Sequence, residues 1–479
     1  MLQNLLTRAR REELVASAAA AMRDPFAWLT TLFALGFLWQ PWMRIVDDPD
    51  YGWLVWLGNN LLSGTVPRTN GFSWTVPDMP WVSHEALVGL VYAAAGPDWV
   101  AWLRGIVISA TVVLLLVLTH RRNNPIASCA AFTWAIALIV CGVSERPLSW
   151  GNLMLALVTL LVTGKKPARW RFVLAALMVG LWANIHGSFI IGVFIVGLAN
   201  WRWGIAAALA TLANPYGIHL WELVIGYGAG EGVTGLLRGV INEWSSPDFT
   251  DPMTVLRFAL LFLAGALIVW THARTDDGKW DWRDAWRPAL LFLALTALAL
   301  DHWRFIDVAA IALAPWLATA LERLMPTRRA ALPWPQFAIM LPVLAFLSRD
   351  VGIDRKLYPL DLPFEELQGK RLWNNFRLGG YLGQHGVRVF WDGRNDCYTT
   401  EIFRDGLTIQ WMRPGWQDRL DKWRIDAILS IQPRLVDLLK ENGWQEQGKW
   451  GDVTLLTRPP MAPEGAPPSK EEAPAAQAG

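Results

Sequence analysis

Residues Asp47–Glu85 read DDPDYGWLVWLGNNLLSGTVPRTNGFSWTVPDMPWVSHE, and the fold is decided by what flanks them. Apolar segments stand on either side, near 26–45 and 99–119. The stretch itself gathers a carboxylate cluster (Asp47, Asp48, Asp50), a turn rich in Gly, Pro and Asn, and an adjacent His84–Glu85 pair. If the flanks cross a bilayer, these acids stand where helix end, water and headgroup meet. A membrane enzyme would hold a base there against a lipid-linked substrate.

Working outward, 53% of the 479 residues are hydrophobic and only 18% charged, where a soluble protein has about a quarter charged. The chain therefore reads as an integral membrane protein. Its 31 Trp against 7 Tyr fit an aromatic belt, with Trp28, Trp39, Trp42, Trp99, Trp102, Trp170, Trp201 and Trp203 near the ends of apolar runs. A formal net charge of +2 argues against nucleic acid as a partner. Cys129 and Cys141 fall on one predicted helix and Cys397 stands alone, so no disulfide framework follows. Residues 1–25 lack a continuous apolar core and read as an amphipathic helix on the cytoplasmic face.

Eleven apolar segments are long enough to expect spans: 26–45, 99–119, 125–144, 147–164, 168–186, 187–201, 203–221, 254–272, 286–301, 304–322 and 333–348. Asn214-Pro215-Tyr216-Gly217 should break the seventh. With the N-terminus inside, the inner linkers carry 18 Lys and Arg and the outer ones five, which follows the positive-inside rule. The expected architecture is mainly α, a polytopic membrane region over 26–349 with a large first outer loop at 46–98. A small α/β outer domain follows over 350–459, with Val387–Trp391, material in Asp421–Ser430 and Pro433–Asn442, and Val453–Leu456 as its elements. Residues 460–479, rich in Pro, Ala and Glu, should be a disordered tail.

Chemistry belongs on the outer side. Asp48, Asp50 and Asp47 are candidate bases, because partial desolvation near a membrane raises a carboxyl toward useful basicity; solvated loop ends are the plain alternative. Arg146 and Arg304 lie at membrane depth, where a guanidinium usually has a partner. A lipid phosphate suits the planar fork, and an ion pair with Glu145 or Asp301 is the alternative. His186 sits in a polar island, Asn184–Ser188, near enough in topology to His84 and His302 to share a site. Glu243 stands in another outer loop. Phe390-Trp391-Asp392-Gly393-Arg394 forms no phosphate loop and reads as a tight turn.

These residues carry a family resemblance. D-P-D-Y-G-W, G-T-V-P-R-T-N-G-F-S-W-T and P-W-V-S-H-E of the first loop resemble bacterial multi-span proteins of the GT-C glycosyltransferase superfamily type. So do E-R-P, W-A-N-I-H-G-S-F, N-P-Y-G, N-E-W-S-S-P, N-N-F-R-L-G-G-Y-L and V-F-W-D-G-R-N-D-C-Y, and the likeness covers about residues 26–458. One departure is that Leu54 follows Gly52-Trp53 where such proteins usually carry His. The resemblance implies an inverting transferase of the bacterial cytoplasmic membrane, moving a sugar from a polyprenyl-phosphate donor to a glycan, lipid or protein acceptor on the outer face. It implies Asp48 or Asp50 as base, directly or through a divalent cation. Arg146 and Arg304 would hold the donor phosphate, and His84, Glu85, His186 and Glu243 would line the sugar or acceptor pocket. The competing expectation is a non-catalytic GT-C-shaped scaffold or lipid-handling protein in envelope assembly.

Overall fold

The computed structural model describes residues 2–164, 167–229, 233–237, 245–275, 278–325 and 331–458. Glu243 and the tail over 460–479 lie outside the described residues. The described chain is mainly helical, with one small sheet near its C-terminal end.

Several helices start where the sequence places Asp or Asn ahead of Pro. Asp24, Asn124 and Asp251 accept hydrogen bonds from first-turn amides of Pro25–Met43, Pro125–Leu138 and Pro252–Ala273. Each cap satisfies donors that the helix itself leaves open, and Pro at the next position loses nothing.

All eleven expected segments hold helix, but eleven full spans are not what the structure shows. Among the described residues, Pro97–Thr119, Pro252–Ala273 and Phe305–Leu324 are long and apolar enough to cross a bilayer, and five further apolar helices have 10–17 residues. The segment expected over 125–144 stops at Leu138 because Asp307 draws out the amides beyond it. Asp307 Oδ1 accepts from Val140 N at 2.8 Å and Oδ2 from Gly142 N at 2.6 Å. Cys141 is therefore past the helix that carries Cys129. The segment over 203–221 divides into Trp201–Ala210 and His219–Ala229, with Asn214 Oδ1 closing the intervening turn on Tyr216 N at 2.8 Å.

The first loop is itself built of helices, Asp50–Leu62 and Ala86–Ala95. The first of them crosses Gly379–Gln384 so closely that a Cβ on Gly52 would lie 2.3 Å from the Gly380 carbonyl carbon. Gly52 of D-Y-G-W and Gly380 of L-G-G-Y thus have one shared reason, a backbone crossing with no room for side chains.

The sheet has the order β1 (Leu372–Asn374), β2 (Ala427–Ser430), β4 (Val453–Thr457), β3 (Gln445–Trp450). β1 and β2 are parallel and the other pairs antiparallel. β1, β2 and β4 are buried on both faces, while the outer strand β3 is exposed and carries Glu446 and Lys449, which blunt a free edge. Val387–Trp391 is not a strand of this sheet. The Asn374 side chain takes its polar backbone instead, donating to Trp391 O at 3.0 Å and accepting from Phe390 N at 3.0 Å. Val389 meanwhile bridges to Ser73 of the first loop.

Candidate functional site

A cavity of about 400 Å³ opens where the first loop, the helix ends and the sheet unit meet. Asp50, His84, Glu85, Arg146, His186 and Arg304 line it, although they come from widely separated parts of the chain. Leu148, Ile190, Ile191, Val224, Ile225, Leu298 and Val308 supply an apolar side, and Trp53 and Trp81 add indole surface. Asp47 is not part of this lining. Its carboxylate pairs with Arg44 at 2.8 Å and Arg377 at 3.1 Å.

The acid centre is held from below. Glu145 Oε1 accepts from the amides of Asp47 at 3.2 Å and Asp48 at 3.1 Å, and its other oxygen pairs with Arg104 Nη1 at 2.9 Å. Arg104 is buried inside Pro97–Thr119, and it also donates to Pro41 O at 2.7 Å and to Arg44 O. Asp48 Oδ1 accepts from Asp50 N at 3.0 Å, which fixes the start of the helix Asp50–Leu62.

The Glu145 side chain takes Arg104 in place of its neighbour Arg146. The Arg146 Nε lies 2.7 Å from Asp48 Oδ2 and 3.4 Å from Asp50 Oδ2. Glu145 has turned inward to Arg104, and that leaves the Arg146 side chain directed at the first loop. Trp53 Nε1 donates to Asp50 Oδ1 at 3.0 Å. Removal from bulk water pushes the Asp50 carboxyl up to about 8, with Arg146 opposing the rise and the Asp48 charge adding to it.

The two histidines meet at a ring separation of 5.6 Å. Burial alone would lower His84, but Glu85, with Oε1 3.3 Å from its Nε2, and Asp396 together raise the imidazole above its usual range. His186 is pushed well below its usual range by burial, then by His84 and Arg304. Its Nδ1 accepts from Ser188 N at 3.1 Å and lies 2.7 Å from the Ser188 hydroxyl. A nitrogen accepting a backbone N–H carries no proton, so the neutral ring holds its proton on Nε2 and acts as a donor.

That tautomer bears on metal binding. One ligand atom each from His84, Glu85 and His186 fall within 4.8 Å of one another. A metal-bound imidazole instead donates through its second nitrogen, so His186 as held by Ser188 does not fit a ligand role. Asp48 and Asp50 do not fit a shared divalent cation either, because the Arg146 guanidinium already lies between them.

Sequence reasoning missed the contribution of the turn at Asp392–Asp396. Arg394 is fully buried against Asp392, with Nε to Oδ1 at 2.9 Å and Nη2 to Oδ2 at 2.8 Å. It also donates to Asn70 O at 2.9 Å and Asn70 Oδ1 at 2.5 Å in the first loop. A Cβ on Gly393 would lie 2.1 Å from Asp50 Oδ1, so the glycine lets the turn close on the acid. Asn395 and Asp396 then line the cavity. The only available signal was the crowding of Asp, Gly, Arg and Asn in one short stretch, which any tight turn shares. Leu54, at the position of the missing histidine, is buried away from the cavity.

No family model matches the chain, and no curated protein matches it. Among solved structures the chain is similar to the archaeal oligosaccharyltransferase AglB from Archaeoglobus fulgidus, in complex with an inhibitory peptide and a dolichol-phosphate. The two share 12% identity over 85% of this chain and 69% of that one, with a TM-score of 0.41.

Proposed function

We propose that the protein is a GT-C-like membrane glycosyltransferase that moves a sugar from a polyprenyl-phosphate donor to an acceptor hydroxyl at the outer membrane face. One observation carries this reading: ionisable side chains from separate segments meet in one cavity that also has an apolar side. A polar end beside an apolar one suits an amphiphilic, lipid-linked donor.

In this reading Asp50 is the base and Asp48 its support. Asp48 is committed to Arg146 and to the Asp50 amide. Asp50 faces the cavity, and its raised basicity suits proton removal from a hydroxyl. Asp50 takes the acceptor proton, the acceptor oxygen forms a bond to the anomeric carbon from the opposite face, and the bond to the phosphate oxygen breaks with inversion. The electron pair leaves on the polyprenyl phosphate. Arg304, which lines the cavity, balances that charge, with Arg146 beside it. His84, Glu85 and His186 contact the sugar or acceptor.

The test is binding of a polyprenyl phosphate to the protein in lipid. Wild type should bind saturably, and Arg304→Ala should bind roughly 10- to 100-fold more weakly, the value of a hydrogen bond to a charged group. Wild-type binding no stronger than that of bulk phospholipid overturns the donor site. The base assignment has its own test in a pH profile. A general base works only when deprotonated, so kcat/KM should climb with pH and level off above about 8, where Asp50 is ionised. A rate that falls through the same range excludes Asp50 as the base.

One observation favours a second reading. Asp48 and Arg146 already neutralise each other at 2.7 Å, as residues of a structural ion pair do. On that reading the protein is a non-catalytic scaffold or lipid-handling protein in envelope assembly, and it binds the lipid without turnover.

A further inference from the structure

The cavity holds a carboxylate for which the transfer reading has no role. Asp396 comes from the sheet unit, on the segment that Arg394 locks against the first loop. No side chain among the described residues hydrogen-bonds its carboxylate, and the imidazole of His84 lies near enough to attract it. The Arg394 guanidinium nearby is already taken by Asp392 and Asn70. A recessed carboxylate of this kind leaves acceptor capacity open, and burying it without a donor is costly.

We propose that Asp396 is a ligand-contacting residue that accepts a hydrogen bond from a hydroxyl of a sugar held in the cavity. The proposal rests on the reading of the cavity as a sugar-transfer site and names a group that recognises the sugar. The surroundings decide the chemical class. Glu85 offers a second acceptor, His186 a neutral Nε2–H donor, Asn395 an amide that both donates and accepts, and Trp81 an aromatic face. An anionic group would be repelled by Asp396 and Glu85, and an apolar group would leave Asp396 without a donor. A neutral polyhydroxylated group satisfies acceptors and donor together. Sites that hydrogen-bond a substrate hydroxyl reject analogues lacking it far more strongly than apolar pockets reject a methylene. On this account the sheet unit completes the binding site, adding the Asp396 acceptor to those of the first loop and the helix ends.

The hydroxyl has two possible sources, the donor's sugar or a sugar acceptor, and the probes separate them. The full chain in lipid is titrated with a polyprenyl phosphate, with a polyprenyl-phosphate-linked hexose, and with methyl hexosides, following binding by calorimetry. Asp396→Asn should weaken one or both sugar probes by roughly 10- to 100-fold and leave the sugarless lipid unchanged. Loss confined to the lipid-linked hexose assigns Asp396 to the donor, and loss confined to the free hexosides assigns it to the acceptor. Asp396→Ser gives a second variant without the carboxylate. Melting temperature should hold in both variants, because no side-chain partner is lost. The proposal is overturned if wild type binds no sugar probe, if both variants bind every sugar probe as wild type does, or if the sugarless lipid weakens equally. Failure of the lipid reading looks different: wild type then binds no polyprenyl phosphate, while Asp396-dependent binding of methyl hexosides persists.

Discussion

Asp50→Asn should lower sugar transfer by about 100- to 10,000-fold, the contribution of a positioned general base, while the protein still folds. The two neighbouring acids differ in what they hold. Asp50 Oδ1 accepts from Trp53 Nε1, which an amide oxygen in its place can still do, and Oδ2 has only a looser contact with Arg146 that the amide gives up. The Asp50 carboxyl is already pushed up to about 8 by burial, so much of the population is uncharged near neutral pH and the Asn variant resembles that form. Removing the charge also relieves repulsion from Asp48. The melting temperature of Asp50→Asn should accordingly match or exceed that of wild type. Asp48→Asn is different, since it breaks the 2.7 Å pair with Arg146 and should lose stability along with activity. Turnover and thermal melting measured side by side separate the two acids. Full turnover in Asp50→Asn would remove it from the chemistry and return the scaffold reading to the front.

The sequence made the acids and arginines legible because ionisable residues beside apolar runs are conspicuous. It could not say which partners they take. Arg146 follows Glu145 directly, and a local pairing looked natural, yet a buried Arg104 on another helix captures Glu145 and sends Arg146 to Asp48 and Asp50. That choice depends on the packing of helices far apart in the chain. Helix existence was likewise readable from apolar runs, whereas helix length was not. Asp307, more than 160 residues away, ends the helix at Leu138 by taking the amides that would continue it. The misread strand at Val387–Trp391 has the composition of a strand, but the Asn374 side chain occupies its backbone. The share of the sheet unit in the cavity was hidden for a further reason: Asp396 sits in a turn with no periodicity to read, and that turn is tied through Arg394 to Asn70 of the first loop.

Arg394→Met should destabilise the protein by about 3–5 kcal/mol, the usual cost of leaving one member of a buried ion pair alone. Arg394 and Asp392 are both fully buried, so solvent does not screen the lost interaction. The arginine also joins the first loop to the sheet unit, through Asn70 and through ring faces at 3.8 Å from Phe72 and 4.8 Å from Trp81. Lysine should rescue little, because a point charge cannot reproduce the paired contacts to Asp392 together with those to Asn70. Thermal melting of the full chain in lipid measures the effect, and an unchanged melting temperature in Arg394→Met would show that the pair contributes no net stability. The double variant Arg394→Met with Asp392→Leu tests what the charge pair is for. Replacing both members by apolar groups should recover part of the lost stability, since no buried charge is then stranded. Activity should not recover with it. The bonds from Arg394 to Asn70 help hold the turn that carries Gly393 and Asp396 on the first loop, and apolar packing supplies no substitute for them. A double variant that melts like wild type yet transfers sugar poorly would assign the pair to registering the sheet unit on Asp50, and recovery of both would assign it to stability alone.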